Sequence, residues 1–275
     1  MIDQPTTFST LSHPDTDRRQ YRHQSPRIIR DIALFMGTLL CLTTAHADTV
    51  AVAVAANFTA PMKQIAAEFE EKTGHVAQLS FGSSGKFVAQ IQNGAPFDVF
   101  LSADQQKPEV LETAGTAVAG SRFSYALGRL ALWTIQPDID PLATLRNGQF
   151  NKLAIANPRL APYGLAATQV ITQLGLSEPI ESKLVQGDSI AQAWQFVSTG
   201  NADLGFVALS QISLNGKISK GTAWVVPLEQ HDPIRQDAVL LQRGEHNKAA
   251  VALLQYLQSA PARLIIRQYG YDIPQ

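Results

Sequence analysis

The sequence predicts an α/β protein built on two sheets. Short apolar runs of strand composition alternate with segments of helical period from residue 49 to the end of the chain. The strands lack a polar face, as strands covered by helices on both sides do. About 228 residues carry the pattern once an N-terminal leader is set aside, which suits two sheets better than one.

Residues 49–56 (Thr-Val-Ala-Val-Ala-Val-Ala-Ala) form a continuous small apolar run, the mark of a strand buried on both faces. Residues 60–72 place Met62, Ile65, Ala66 and Phe69 on one helical face, and Gly74 ends that helix. Residues 76–81 read as the next strand, 86–92 as a short helix closed by Asn93-Gly94, 98–101 as a third strand and 103–114 as a helix. Further strands are expected over 130–133, 152–156, 203–208 and 238–241, with helices over 165–174, 190–199, 248–259 and 262–269. Such an order predicts parallel pairs flanked by helices. Residues 115–128 and 224–237 are candidate crossings between two lobes. The expected division is 48–127 with 227–275 as lobe I and 128–226 as lobe II.

Residues 1–47 read as a secretory signal. Arg18, Arg19, Arg22, Arg27 and Arg30 precede an apolar run from Ile32 to Leu42, and Ala45-His46-Ala47 supplies a small-residue cleavage pattern. The run is too short to span a bilayer. Cleavage is expected after Ala47, with export to a bacterial periplasm. The only cysteine, Cys41, lies in the signal and follows Leu40 rather than a small residue, so it does not make a lipoprotein site. The mature chain is then free of cysteine and of disulfides.

Lys and Arg number 22 and Asp and Glu 23, a net charge of −1, and only 16% of residues are charged. This balance argues against nucleic acid, whose affinity comes mainly from neutralised phosphates, and against a polybasic membrane face. Composition alone therefore points away from anionic partners.

Familiar catalytic and metal patterns are missing. His75, His231 and His246 are scattered, so zinc is not expected. His231-Asp232 sits in a Pro-bounded loop and reads as solvated. Phe81-Gly-Ser-Ser-Gly-Lys86 lacks the opening Gly and the final Ser or Thr of a phosphate loop. No G-x-S-x-G elbow is present. No enzymatic activity and no cofactor are expected.

One arrangement recurs four times: a strand, then a small or hydroxyl residue, then a helix. It occurs at Ala55-Ala-Asn57, at Phe81-Gly-Ser-Ser84, at Asn157 to Tyr163-Gly164 and at Gly187-Asp-Ser-Ile190. Asn57 and Ser84 would each, taken alone, be an ordinary helix cap. Together, four helix starts aimed at one cleft make an anion site from unpaired N–H groups, without a charged side chain.

At these residues the chain resembles the periplasmic molybdate-binding proteins of ATP-driven importers. The resemblance is carried by Ala55-Ala-Asn-Phe-Thr-Ala-Pro-Met62, by Ser80-Phe-Gly-Ser-Ser-Gly85, and by Asn93-Gly-Ala-Pro-Phe-Asp-Val-Phe-Leu-Ser-Ala-Asp104. Asn157-Pro to Tyr163-Gly164, Gly187 to Ile190, Asn201 to Val207 and Arg267-Gln-Tyr-Gly-Tyr271 fit as well. It implies a two-lobed class II binding-protein fold, each lobe a mixed, mostly parallel sheet flanked by helices, with the ligand in the cleft. It implies binding of molybdate or tungstate, delivery to a membrane permease of an ABC importer, and a monomer with no nucleic-acid partner.

By motif position, Asn57 and Ser84 would bind the oxyanion from one lobe, by side chain and backbone N–H. Tyr163 and the backbone of Ile190 would bind it from the other. The metal is held as its oxyanion, with no direct protein–metal ligands. Some relatives carry Ser or Thr at Asn57. Some carry Ala at Tyr163 and Tyr at Ala208; here those two are exchanged, so the phenolic donor falls to Tyr163. Another tetrahedral oxyanion such as sulfate, or a secreted hydrolase or transferase on the same scaffold, are the alternatives.

Overall fold

A computed structural model describes residues 48–274 of the chain. The expected signal, its cleavage point and Cys41 lie outside the described residues.

The first apolar run forms β1 (Thr49–Ala55). A 3₁₀ turn at Ala56–Phe58 leads straight into α1 (Thr59–Thr73). Helix α1 buries Met62, Ile65 and Phe69, and Gly74 ends it with φ 74°, a left-handed conformation that costs glycine little. Then come β2 (Val76–Gly82), α2 (Ser84–Gln92), β3 (Val99–Leu101), α3 (Gln106–Thr113) and β4 (Phe123–Gly128). The chain continues through β5 (Leu130–Thr134), α4 (Pro141–Asn147), β6 (Leu153–Ala156), α5 (Pro162–Gln173) and α6 (Ser177–Ile180). Next are β7 (Leu184–Gly187), α7 (Ile190–Ser198), β8 (Leu204–Ala208), the small hairpin β9 (Ser213–Leu214) and β10 (Lys217–Ile218), and β11 (Thr222–Val225). The last elements are β12 (Ile234–Leu240), α8 (Lys248–Leu257) and α9 (Ala260–Gln268).

Two five-stranded sheets result. The first has the order β2-β1-β3-β12-β4 and the second β11-β5-β8-β6-β7. The chain leaves the first sheet between Gly128 and Leu130 and returns between Val225 and Ile234. Each sheet combines two parallel and two antiparallel pairings, so neither is mostly parallel. The reason lies in the crossings. β4, β5, β11 and β12 flank them, and every antiparallel pairing in the two sheets includes at least one of these four strands.

Strand alternation divides the first lobe's core. Val50, Val52 and Val54 face one layer with Phe58, Met62 and Phe69. Ala53 and Phe100 face the other with Phe87, Ile91 and Leu111. In the second lobe, Leu130, Leu132, Ile155 and Phe206 pack with Val170, Ala193 and Val197.

β12 starts four residues earlier than expected, because Gln236 and Asp237 are buried polar residues inside the strand. Register slips between them, leaving Tyr125 of β4 unmatched as a bulge. The Asp237 carboxylate accepts from Ser124 Oγ at 2.6 Å and Arg122 Nη1 at 3.0 Å. That bond holds the Arg122 guanidinium above its ordinary value. Asp237→Ala leaves these donors unpaired beside the sheet. It is expected to lower stability by about 2–3 kcal/mol in a denaturant titration.

Candidate functional site

Four chain segments end at one place. β1 ends in the turn that holds Asn57. β2 ends before Ser83, which holds the position preceding α2 without a side-chain cap bond, so Ser84 is the first residue of that helix. α5 opens with Pro162, whose missing N–H costs nothing there, and Tyr163 follows it. Ser189 caps α7 by accepting from Gln192 N–H, so Ile190 is that helix's first residue.

Asn57, Ser84, Tyr163 and Ile190 line a single small cavity, together with Ser83 and Ala103. All four are at least 97% buried. No Lys, Arg, Asp or Glu lines the cavity. First-turn N–H groups have no acceptor within their own helix. The site therefore offers Ser84 and Ile190 N–H, with the positive ends of α2 and α7 behind them. Ser84 Oγ accepts from Ala103 N–H at 3.0 Å, which leaves its own proton free to donate outward.

Asn57 differs from expectation in two respects. It lies inside the 3₁₀ turn rather than capping a helix; the residue before α1 is Phe58. Its side-chain amide is also fully engaged. Nδ2 donates to Gln236 Oε1 at 2.8 Å and to Tyr271 Oη at 2.9 Å, which uses both protons. What Asn57 retains for the cavity is its backbone N–H.

Tyr163 Oη accepts from Gln236 Nε2 at 3.2 Å. Burial holds the Tyr163 phenol well above its ordinary value, so it is a neutral donor. The Tyr271 phenol is pushed up to about 12 by the same cause. Ala208 is buried and does not line the cavity.

Sequence reasoning missed Ser83 and Gln236. Ser83 Oγ is buried with no hydrogen-bond partner among the described residues, and Ser83 lines the cavity beside Ser84. The Ser-Ser pair was visible, but not that neither side chain caps the helix, Ser84 Oγ being turned to Ala103 N–H and Ser83 Oγ left without a partner. Gln236 carried no local signal, since its partners lie more than 70 positions away. His231 was expected to be solvated and is buried, with Nδ1 2.7 Å from Asp232 O. Gln169 of α5 holds the loop by bonding Asp232 at its N–H and carboxylate. Among the described residues no group of His, Cys, Asp or Glu is placed to hold a metal ion.

The two lobes meet around the cavity. Gly85 N–H donates to Leu160 O at 2.9 Å and Ser210 Oγ donates to Asn57 O at 2.8 Å. An exposed ion pair, Lys86–Asp188 at 2.6 Å, lies outside them. The cleft is closed.

A cavity of this construction is set between two mixed sheets, and the comparisons with known proteins agree with it. Residues 50–272 match the family described as bacterial extracellular solute-binding protein. The chain belongs to that family. Among its relatives, a protein of Azotobacter vinelandii named molybdate-binding protein ModA is 56% identical over 244 residues, covering 88% of this chain and 96% of the relative. A ModA of Rhodobacter capsulatus is 49% identical, covering 87% and 93%. The solved structure of the Azotobacter vinelandii periplasmic molybdate-binding protein superposes with a TM-score of 0.79 at 41% identity, covering 82% of this chain and all of that one. Like other solute-binding proteins of this family, the chain is a carrier by build, not an enzyme.

Gly164 sets how closely α5 approaches the sheet of the second lobe. A Cβ there would overlap the carbonyl oxygen of Ala156, at the end of β6. Gly164→Ala is expected to push the start of α5 outward. A thermal melt should show a loss of about 1–3 kcal/mol.

Proposed function

We propose that this chain binds molybdate or tungstate as the dianion in the closed cleft and delivers it to the membrane permease of an ABC importer. The observation that carries this reading is the convergence of Asn57, Ser84, Tyr163 and Ile190 on one buried, uncharged cavity. The 56% identity to a protein named for molybdate binding supports the choice of ligand. The protein acts as a monomer in the periplasm. It is exported by residues 1–47 with cleavage after Ala47, and needs no cofactor. Lobe I comprises 48–127 and 227–275, and lobe II 128–226.

In this reading the oxyanion receives backbone N–H groups from Asn57, Ser84 and Ile190. The hydroxyls of Ser84 and Tyr163 complete the set. Hydrogen bonds to a charged partner contribute about 1.5–3 kcal/mol each, enough in sum to support tight binding after the cost of closing the lobes. Helix ends offset the charge that remains on the ligand. Sulfate is also a full dianion, so the size of the cavity has to reject it.

Thermal melts with molybdate, tungstate, sulfate, phosphate and chromate test the reading. Molybdate at 100 times its dissociation constant should stabilise the protein by about 2.7 kcal/mol. Stabilisation by sulfate with none by molybdate or tungstate would sink the assignment. Ser84→Ala should weaken molybdate binding by about tenfold or more in calorimetry and leave the far-ultraviolet circular dichroism unchanged.

A further inference from the structure

Behind the cavity lies a chain of buried hydrogen bonds whose directions can be worked out from one fixed point. The carbonyl oxygen of Asn57 carries no proton, yet Tyr271 Oη lies 2.8 Å from it. Ser210 Oγ, which donates to the same carbonyl, lies 2.9 Å from Tyr271 Oη; the Tyr271 proton goes to one of these two oxygens, and in either case the Tyr271 oxygen is left as an acceptor. The Asn57 side-chain atom 2.9 Å from that oxygen must then be the amide nitrogen. The Gln236 atom 2.8 Å from this nitrogen must in turn be the amide oxygen, and Tyr125 Oη stands 3.0 Å from the same atom. Gln236 is left with only its Nε2 to present to Tyr163, at 3.2 Å. The phenolic oxygen of Tyr163 accepts, so its proton turns either to the cavity or toward Tyr271 Oη, an oxygen that already receives the Asn57 amide; an oxyanion in the cavity is the stronger acceptor of the two.

Two more features fit this. Gln236 is fully buried, so bulk solvent does not compete for its partners. Gly128, where β4 ends, makes room for the contact. A Cβ at that position would overlap the Tyr163 hydroxyl and come within 2.6 Å of Gln236 Nε2.

We infer that Gln236 is a positioning residue for the oxyanion: its amide holds the Tyr163 hydroxyl as an acceptor and so directs the phenolic proton at the ligand. It does not line the cavity and acts through Tyr163. Because it also holds Asn57 and joins β12 of the first sheet to α5 of the second, it sets this donor in the same act that brings the lobes together. The inference rests on the oxyanion-binding reading above and adds the residue that sets the direction of one donor.

A double-mutant cycle with sodium molybdate, read by calorimetry, tests it. The proteins are wild type, Tyr163→Phe, Gln236→Leu, Gln236→Glu and the Tyr163→Phe/Gln236→Leu pair. Gln236→Leu should weaken binding by about tenfold or more in the wild-type background and by less than about twofold in the Tyr163→Phe background. Gln236→Glu should weaken binding at neutral pH at least as much, because a carboxylate takes the phenolic proton for itself. Its affinity should recover as pH falls and the carboxyl is protonated, which a merely structural role would not produce. Equal losses in both backgrounds, or no loss in either, overturn the positioning role. If Gln236→Leu does not fold, the pH profile of Gln236→Glu decides alone, a flat profile overturning the inference. Wild-type protein that gives no heat with molybdate overturns the functional reading and this one with it. Wild-type binding with an additive cycle overturns this one only.

Discussion

One carbonyl group, that of Asn57, ties three distant parts of the chain together. It ends the first strand's run into the cleft. It accepts from Tyr271 near the C-terminus and from Ser210 of the second lobe, both at 2.8 Å. A buried carbonyl that lost these donors would cost about 1–3 kcal/mol, so the turn at 56–58, the last residues and the second lobe are held to one another. The stacking around it is apolar: Phe58 lies edge-on to Tyr125 and Tyr271, with ring centres 4.8 and 5.4 Å apart. The two phenols thus have apolar bodies in the core and polar tips in the hydrogen-bonded chain behind the cavity.

The same accounting explains how a chain of net charge −1 is suited to a dianion. Charge carried by helix ends does not enter a count of Lys and Arg. Composition excludes polyanions, which need many separate cations. It does not bear on a single small ion enclosed by first-turn N–H groups. Nor do the protein's own ion pairs intrude. Lys86–Asp188 is exposed and Arg122–Asp237 lies beside the sheet, both outside the cavity.

Much of this was legible beforehand because it is local. β1, α1, β6 and α7 announce themselves by period and by the small or hydroxyl residues at their ends. The four cavity residues share one grammar of strand, short polar turn and helix. What could not be read depends on contacts between remote positions. β4 and β11 were taken only as connections, since neither has a long apolar run and their pairing comes from strands elsewhere in the chain. The start of β12 was hidden by Arg235, Gln236 and Asp237, which look like solvent-facing residues until Ser124, Tyr125 and Asn57 are brought beside them. Asn57 was read as an open donor for the same reason.

The bond from Gly85 N–H to Leu160 O joins backbone to backbone across the cleft. No side chain makes it, and position 85 leaves little room for one: a Cβ there would stand 3.0 Å from Leu160 Cα. It also exists only while the lobes touch. The amide proton of Gly85 is thus shielded for as long as the cleft stays shut and exposed each time it parts. Its exchange with solvent reads how much of the time the cleft stands open, the state any bound ion must pass through.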